Sequence, residues 1–281
     1  MKIRTDLAME SPFFSGEIKN YSGIVLKESI EKDIRLVKLD VINRMGEEKT
    51  GRTIGTYITI EADKLSETDD EYHNKISCIL KDELKNLIMK KYKSSSKVPE
   101  ILVAGLGNIE ATPDSLGPKT VSHLCITAHI QEEEFPDRFA TLRAISPGVM
   151  AQTGMESADI IGAVVKKTEP DILIVIDSLA ARNLNRLTST IQISSAGIEP
   201  GSGVGNHRNA INHKTMGIPV IAIGVPTVVD AATLIFDAIN PKEEWNPDKY
   251  RSMYVTSKDI DAIVNRISYT ISEAINSCMC N

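Results

Sequence analysis

The chain has 281 residues, 42% hydrophobic and 25% charged, which suits a soluble α/β protein with a sizeable core. A net charge of -6 gives no basic face for nucleic acid. No apolar run approaches the roughly 20 residues needed to cross a bilayer, and the start, Met1 to Asp6, lacks the apolar core of a secretory signal, so a cytoplasmic protein is expected.

Residues 1–22 show no clear period. Three strand-like stretches follow: Gly23 to Glu28, Ile34 to Ile42 and Thr53 to Glu61, with Gly46 and Gly51 flanking a charged turn. In the second, Arg35, Val37, Leu39 and Val41 alternate with Ile34, Leu36, Lys38, Asp40 and Ile42, the pattern of a strand with one strongly buried face. Glu67 to Tyr92 reads as an amphipathic helix carrying Ile76, Ile79, Leu80, Leu84, Leu87 and Ile88, ended by Ser94-Ser95-Ser96 and Pro99.

From Glu100 strands and helices alternate: strand 101–105, helices near 117–130 and 155–168, strands 171–176, 189–193 and 218–224, helix 228–239, and a last helix over about Lys258 to Asn276. That alternation predicts an α/β fold with a mostly parallel central sheet flanked by helices and an added N-terminal antiparallel strand region. The N-terminal strands (about 23–61) and the core (about 100–277) are expected to share one domain.

Two aspartates stand out. The apolar run Ile101 to Ala104 leads into Gly105-Leu106-Gly107-Asn108 and a Gly/Pro-shaped loop holding Asp114; the run Ile172 to Ile176 leads directly to Asp177. Open α/β sheets run chemistry at the carboxyl ends of their strands. Two carboxylates in one site share a proton, so one can act as a base toward water while the other hydrogen-bonds to a scissile carbonyl. Alternatively each aspartate caps the helix after its loop.

The segment Ser194 to Arg208 carries four glycines, including Gly201, Gly203 and Gly205. Such a loop serves as a phosphate cradle, a substrate-binding loop or a linker. No Lys-Ser/Thr follows the glycines, so the Walker pattern fails; in the first loop Glu110 stands where a dinucleotide fingerprint needs its third glycine. The Gly-rich segment is read as lining the site. In Gly217 to Asp230 a strand, a tight turn and a helix start are expected, with Thr227 as cap and Asp230 in the first turn, where the helix dipole favours an acid. Arg182 and Arg186 follow Asp177. Arg182 suits an acidic substrate side chain or Asp177 itself, whereas Arg186 is expected on a solvated helix face.

No Gly-x-Ser-x-Gly elbow occurs, and His73, His123, His129, His207 and His213 lack metalloprotease spacing. His123 and His129 are expected on a helix surface. A metal held by Asp114, Asp177 and His207 ranks below a metal-free pair, so no cofactor is expected. Cys78, Cys125, Cys278 and Cys280 form no Cys-x-x-Cys pair and read as free thiols.

Gly105-Leu106-Gly107-Asn108, Thr112 to Pro118, Pro147 to Met150, Thr153 to Glu156, Ile176 to Arg182, Gly201 to Asn206 and Gly217 to Asp230 together resemble the spore germination endopeptidases of Firmicutes, which degrade small acid-soluble spore proteins. The resemblance runs from about Arg4 to near Ile239. It implies an atypical aspartic endopeptidase, similar in architecture to the hydrogenase maturation proteases, with Asp114 and Asp177 catalytic and Arg182, Gly201, Gly203 and Gly205 holding substrate. It also implies a homotetramer in the spore core and a zymogen that removes its own N-terminus. Thr5-Asp6-Leu7-Ala8-Met9-Glu10 resembles the substrate pattern of Thr, acid, large apolar, small, variable, Glu. Cleavage between Leu7 and Ala8 is expected, making residues 1–7 a propeptide and 8–281 the peptidase domain. The rivals are a metal-dependent endopeptidase like the maturation proteases and a non-enzymatic peptide- or nucleotide-binding module.

Overall fold

A computed structural model describes residues 7, 22–31, 33–92, 97–130, 134–135, 138–201, 209–239, 247–250 and 253–279. Three antiparallel strands come first: β1 (Ile24–Glu31), β2 (Ile34–Val41) and β3 (Gly55–Ala62). The alternation in β2 is borne out, with Val37, Leu39 and Val41 buried. Between β2 and β3 the expected charged turn is instead a helix, α1 (Arg44–Thr50). The Asn43 side chain accepts from Gly46 N at 3.2 Å, and Gly51 closes the helix at φ 67°.

α2 (Asp70–Lys91) lies inside the range expected and buries the predicted stripe apart from Ile79, which is half-buried, with Asp69 accepting from Tyr72 N at its start. Next come β4 (Glu100–Gly105) and α3 (Leu116–Ser122). α3 is far shorter than the helix expected near 117–130, because a distant side chain stops it. Asn276, from the C-terminal helix, donates to the His123 carbonyl and accepts from Cys125 N at 2.9 Å. His123 therefore sits at the helix end, tilted against Tyr269 with ring centroids 4.4 Å apart, and His129 lies beyond the helix.

The second half holds β5 (Thr141–Ile145), α4 (Met150–Thr153), α5 (Ser157–Thr168), β6 (Ile172–Ala181), β7 (Thr190–Ser194), α6 (His213–Met216), β8 (Val220–Asp230), α7 (Ala231–Ile239), β9 (Tyr254–Val255) and α8 (Ile260–Met279). β5 has no counterpart among the predicted strands: it is half-buried and its five residues include Thr141 and Arg143. β6 and β8 both outrun the strands expected. β8 passes through Pro226 at a bulge, where a missing N–H is tolerated, so the tight turn expected within Gly217 to Asp230 does not form.

Among the described residues nine strands form one sheet, in the order β1-β2-β3-β7-β8-β6-β4-β5 with β9 on β8. β8, β6, β4 and β5 are parallel and form the core; β1, β2, β3 and β7 extend it in antiparallel fashion. β7 runs against β6 because only Arg182 to Ser189 join them, too few residues for a crossover helix. Both faces of the core strands are covered. Ile101, Val103, Ile172, Ile174, Ile221 and Ile223 pack under α2, α3 and α8. The alternate residues Leu102, Ala104, Leu173, Val175 and Val220 pack under α5 and α6. The result is the expected α/β architecture.

Candidate functional site

The loop after β4 is shaped by three glycines. Gly105 lies against Gly117, and a Cβ on either would strike the other's backbone, so α3 sits directly on the strand end. Gly107 adopts φ 112°, and a Cβ there would overlap the Asp114 carbonyl oxygen. The loop thus folds back until Asn108 N donates to Asp114 Oδ2 at 2.8 Å. Asn108 Oδ1 accepts from Glu110 N and from Gln152 Nε2 of α4, which ties the loop down.

Asp114 does not cap α3. The cap position belongs to Ser115, which makes no side-chain capping bond, while the Asp114 carboxylate takes Asn108. Among the described residues Asp177 caps no helix either. It lies inside β6 rather than on a loop, paired in register with Gly224 of β8, just beyond the point where β4 stops beside Ile176. Its Oδ1 accepts from Ser178 N at 2.9 Å, and the residue is 6% exposed. The capping alternative therefore fails for both residues.

Asp114 and Asp177 line one cavity of about 230 Å³ at the carboxyl ends of the parallel strands, and Gly201 lines it too. Gly203, Gly205 and His207 lie outside the described residues, as does Ala8. Arg182 follows β6 and, among the described residues, is not part of this cavity's wall. Arg186 is not solvated as expected; its Nη2 pairs with Glu61 Oε1 at 2.9 Å, and Glu61 also takes Arg35 Nη1.

Thr227 is not a cap. It is the extra residue of the β8 bulge, where Leu179 pairs with Pro226 and Ala180 with Val228. Asp230 is the cap instead: its Oδ2 accepts from Thr233 N at 3.0 Å and Thr233 Oγ1 at 2.8 Å, opening α7.

Glu156, Ser178 and Thr227 are among the cavity residues that the sequence reading did not assign to the site. The Ser178 and Thr227 hydroxyls are buried and have no hydrogen-bond partner among the described residues. The signal available for Ser178 was adjacency to Asp177; for Thr227 none was, since its bulge is set by the pairing of β8 with β6. Among the described residues no group of three or more His, Cys, Asp or Glu side chains converges as metal ligands.

A second cavity of about 190 Å³ lies toward the antiparallel strands, lined by Arg52, Tyr57 and Glu199 among others, and Leu179 is a wall of both. Burial raises the Tyr57 phenol above its usual range, and Tyr57 Oη donates to the Thr53 carbonyl. Leu7 is fully buried close by, against Leu179, Ala181 and Val229.

The sequence profile of germination proteases matches residues 5–241. Germination proteases from Caldanaerobacter subterraneus (38% identical; 98% of this chain, 93% of that protein), Clostridium tetani (40%; 98% and 95%) and Priestia megaterium (44%; 88% and 71%) are similar to it. The [NiFe] hydrogenase maturation protease HycI of Thermococcus kodakarensis overlaps 69% of this chain and 98% of its own, at 16% identity and a TM-score of 0.35, too low to bear on the chemistry. Profile and relatives cover most or nearly all of the chain, and it belongs to the germination protease family, a family of proteases of spore germination.

Proposed function

We propose that the chain is an atypical aspartic endopeptidase that starts the degradation of small acid-soluble spore proteins in the germinating spore core, with Asp114 and Asp177 as its catalytic pair. The observation that carries this reading is that both carboxylates line one strand-end cavity while neither caps a helix. One carboxylate takes a proton from water, whose oxygen bonds to the scissile carbonyl carbon; the protonated partner hydrogen-bonds to the carbonyl oxygen. Collapse breaks the C–N bond, and a proton passes from the pair to the leaving nitrogen. The Ser178 and Thr227 hydroxyls, without hydrogen-bond partners among the described residues, border the same cavity and supply hydrogen bonds to the substrate backbone. An extended acidic peptide is held by Arg182 and the loop of Gly201, Gly203 and Gly205.

The chain is made as a zymogen, with residues 1–7 as propeptide, cut between Leu7 and Ala8; residues 8–281 form the peptidase domain, and four copies assemble. Support for the cut comes from the match of Thr5 to Glu10 to the substrate pattern and from the burial of Leu7 beside Leu179. Cleavage of a Thr-Asp-Leu-Ala-Met-Glu peptide by the native chain and by Asp114→Asn and Asp177→Asn tests the pair. Those substitutions keep size and remove the titrating group, so full cleavage by either would refute it. Native mass measurement tests the tetramer.

A further inference from the structure

Leu7 is the one residue among the first 21 that the structure describes, and it is fully buried. Its seat is made by Leu179 and Ala181 of β6 and Val229 of β8, with Leu187, Ile198 and Leu234 packed around them. The Leu7 carbonyl oxygen accepts from Arg52 Nη2 at 2.8 Å, so backbone as well as side chain is held. Alternate strand residues share a face, which puts Asp177, Leu179 and Ala181 on one side of β6. Two residues of strand span about 7 Å, so the seat begins one side-chain position beyond the carboxylate. Leu179 also forms part of the wall of the cavity that holds Asp114 and Asp177.

We propose that the Leu7 seat is the subsite that reads the large apolar residue of the substrate, and that in the uncut chain Leu7 fills it and competes with substrate. This rests on the peptidase reading above. An apolar pocket of this kind separates side chains differing by a single methylene by about 10–200-fold, so a Leu against an Ala in the substrate is read at least that strongly.

The test compares two uncut full-length chains, Ala8→Pro, which places a cleavage-resistant bond after Leu7, and Leu7→Ala with Ala8→Pro, which empties the seat. Both are given the peptide Thr-Asp-Leu-Ala-Met-Glu and its Leu-to-Ala analogue, beside the native chain after incubation. The double variant is expected to cut the Leu peptide at least tenfold faster than Ala8→Pro, and to prefer it over the analogue by tenfold or more. Equal rates for the two variants, with the incubated native chain active, would overturn the seat and leave the peptidase standing. Inactivity of the incubated native chain on both peptides would instead bring down the peptidase reading and this proposal with it. As a second probe, Ala181→Leu fills the seat from the strand side; it is expected to shift preference toward the Ala analogue, and an unchanged preference for Leu would also overturn the assignment.

Discussion

The parallel core and the antiparallel extension of the sheet are built differently. β6 and β4 are apolar on both faces, with Ile172 to Val175 and Ile101 to Ala104 almost wholly buried. β1 at the far edge is largely exposed along its length, Ile30 to 68%. Strands covered on both faces hold their ends rigidly, and the two aspartates stand at those ends. The extension contributes something else: Arg52 and Tyr57, at and before β3, wall the second cavity, and Arg52 grips Leu7. The proposed catalytic pair is sited on the core, while the extension reaches Leu7 of the N-terminal segment.

The sharpest way to break that division is to remove a titrating group from the core. Asp114→Asn and Asp177→Asn are each expected to lower peptide cleavage by about 10²–10⁴-fold with little change in melting; a loss below tenfold for both would move catalysis elsewhere. Gly107→Ala comes next, because its Cβ would overlap the Asp114 carbonyl oxygen. The loop must shift and carry Asp114 with it, so a fall in kcat should exceed any fall in Tm.

Stability should divide along the same line. Ile174→Ala in β6 is expected to cost about 2–5 kcal/mol in urea unfolding, whereas Ile30→Ala in β1 should stay within about 0.5 kcal/mol. Equal costs would mean the two regions are not distinct. Asp230→Ala should cost about 1 kcal/mol through the lost α7 cap and spare kcat; a large activity loss with unchanged melting would bring Asp230 into the site. The smallest effect concerns thiols. Burial pushes Cys278 up to about 12, so at pH 8 it stays protonated and unreactive while exposed Cys78 and Cys125 react with a thiol reagent.

The core was legible because its strands are short apolar runs: Ile101 to Gly105 and Ile172 to Ile176 read as strands before any contact is known. Asp177 was legible for the same reason, since it follows its apolar run directly, whereas Asp114 was legible from the Gly/Pro-shaped loop that follows Gly105. What depends on register or distance was not. The bulge that sets Thr227 into β8 arises from its pairing with β6, and Pro226 alone reads as a turn. The end of α3 is set by Asn276, some 150 residues downstream. Glu156 enters the cavity only because α5 starts beside the Asp114 loop. The seat of Leu7 is assembled from β6 and β8, which no local pattern near residue 7 announces.

The most direct measurement is the intact mass of purified native protein and of Asp177→Asn, before and after incubation at mildly acidic pH. Loss of residues 1–7 from the native chain alone is the predicted result, giving the activity, the cleavage site and one catalytic acid together. The same loss from Asp177→Asn would contradict a catalytic role for the pair.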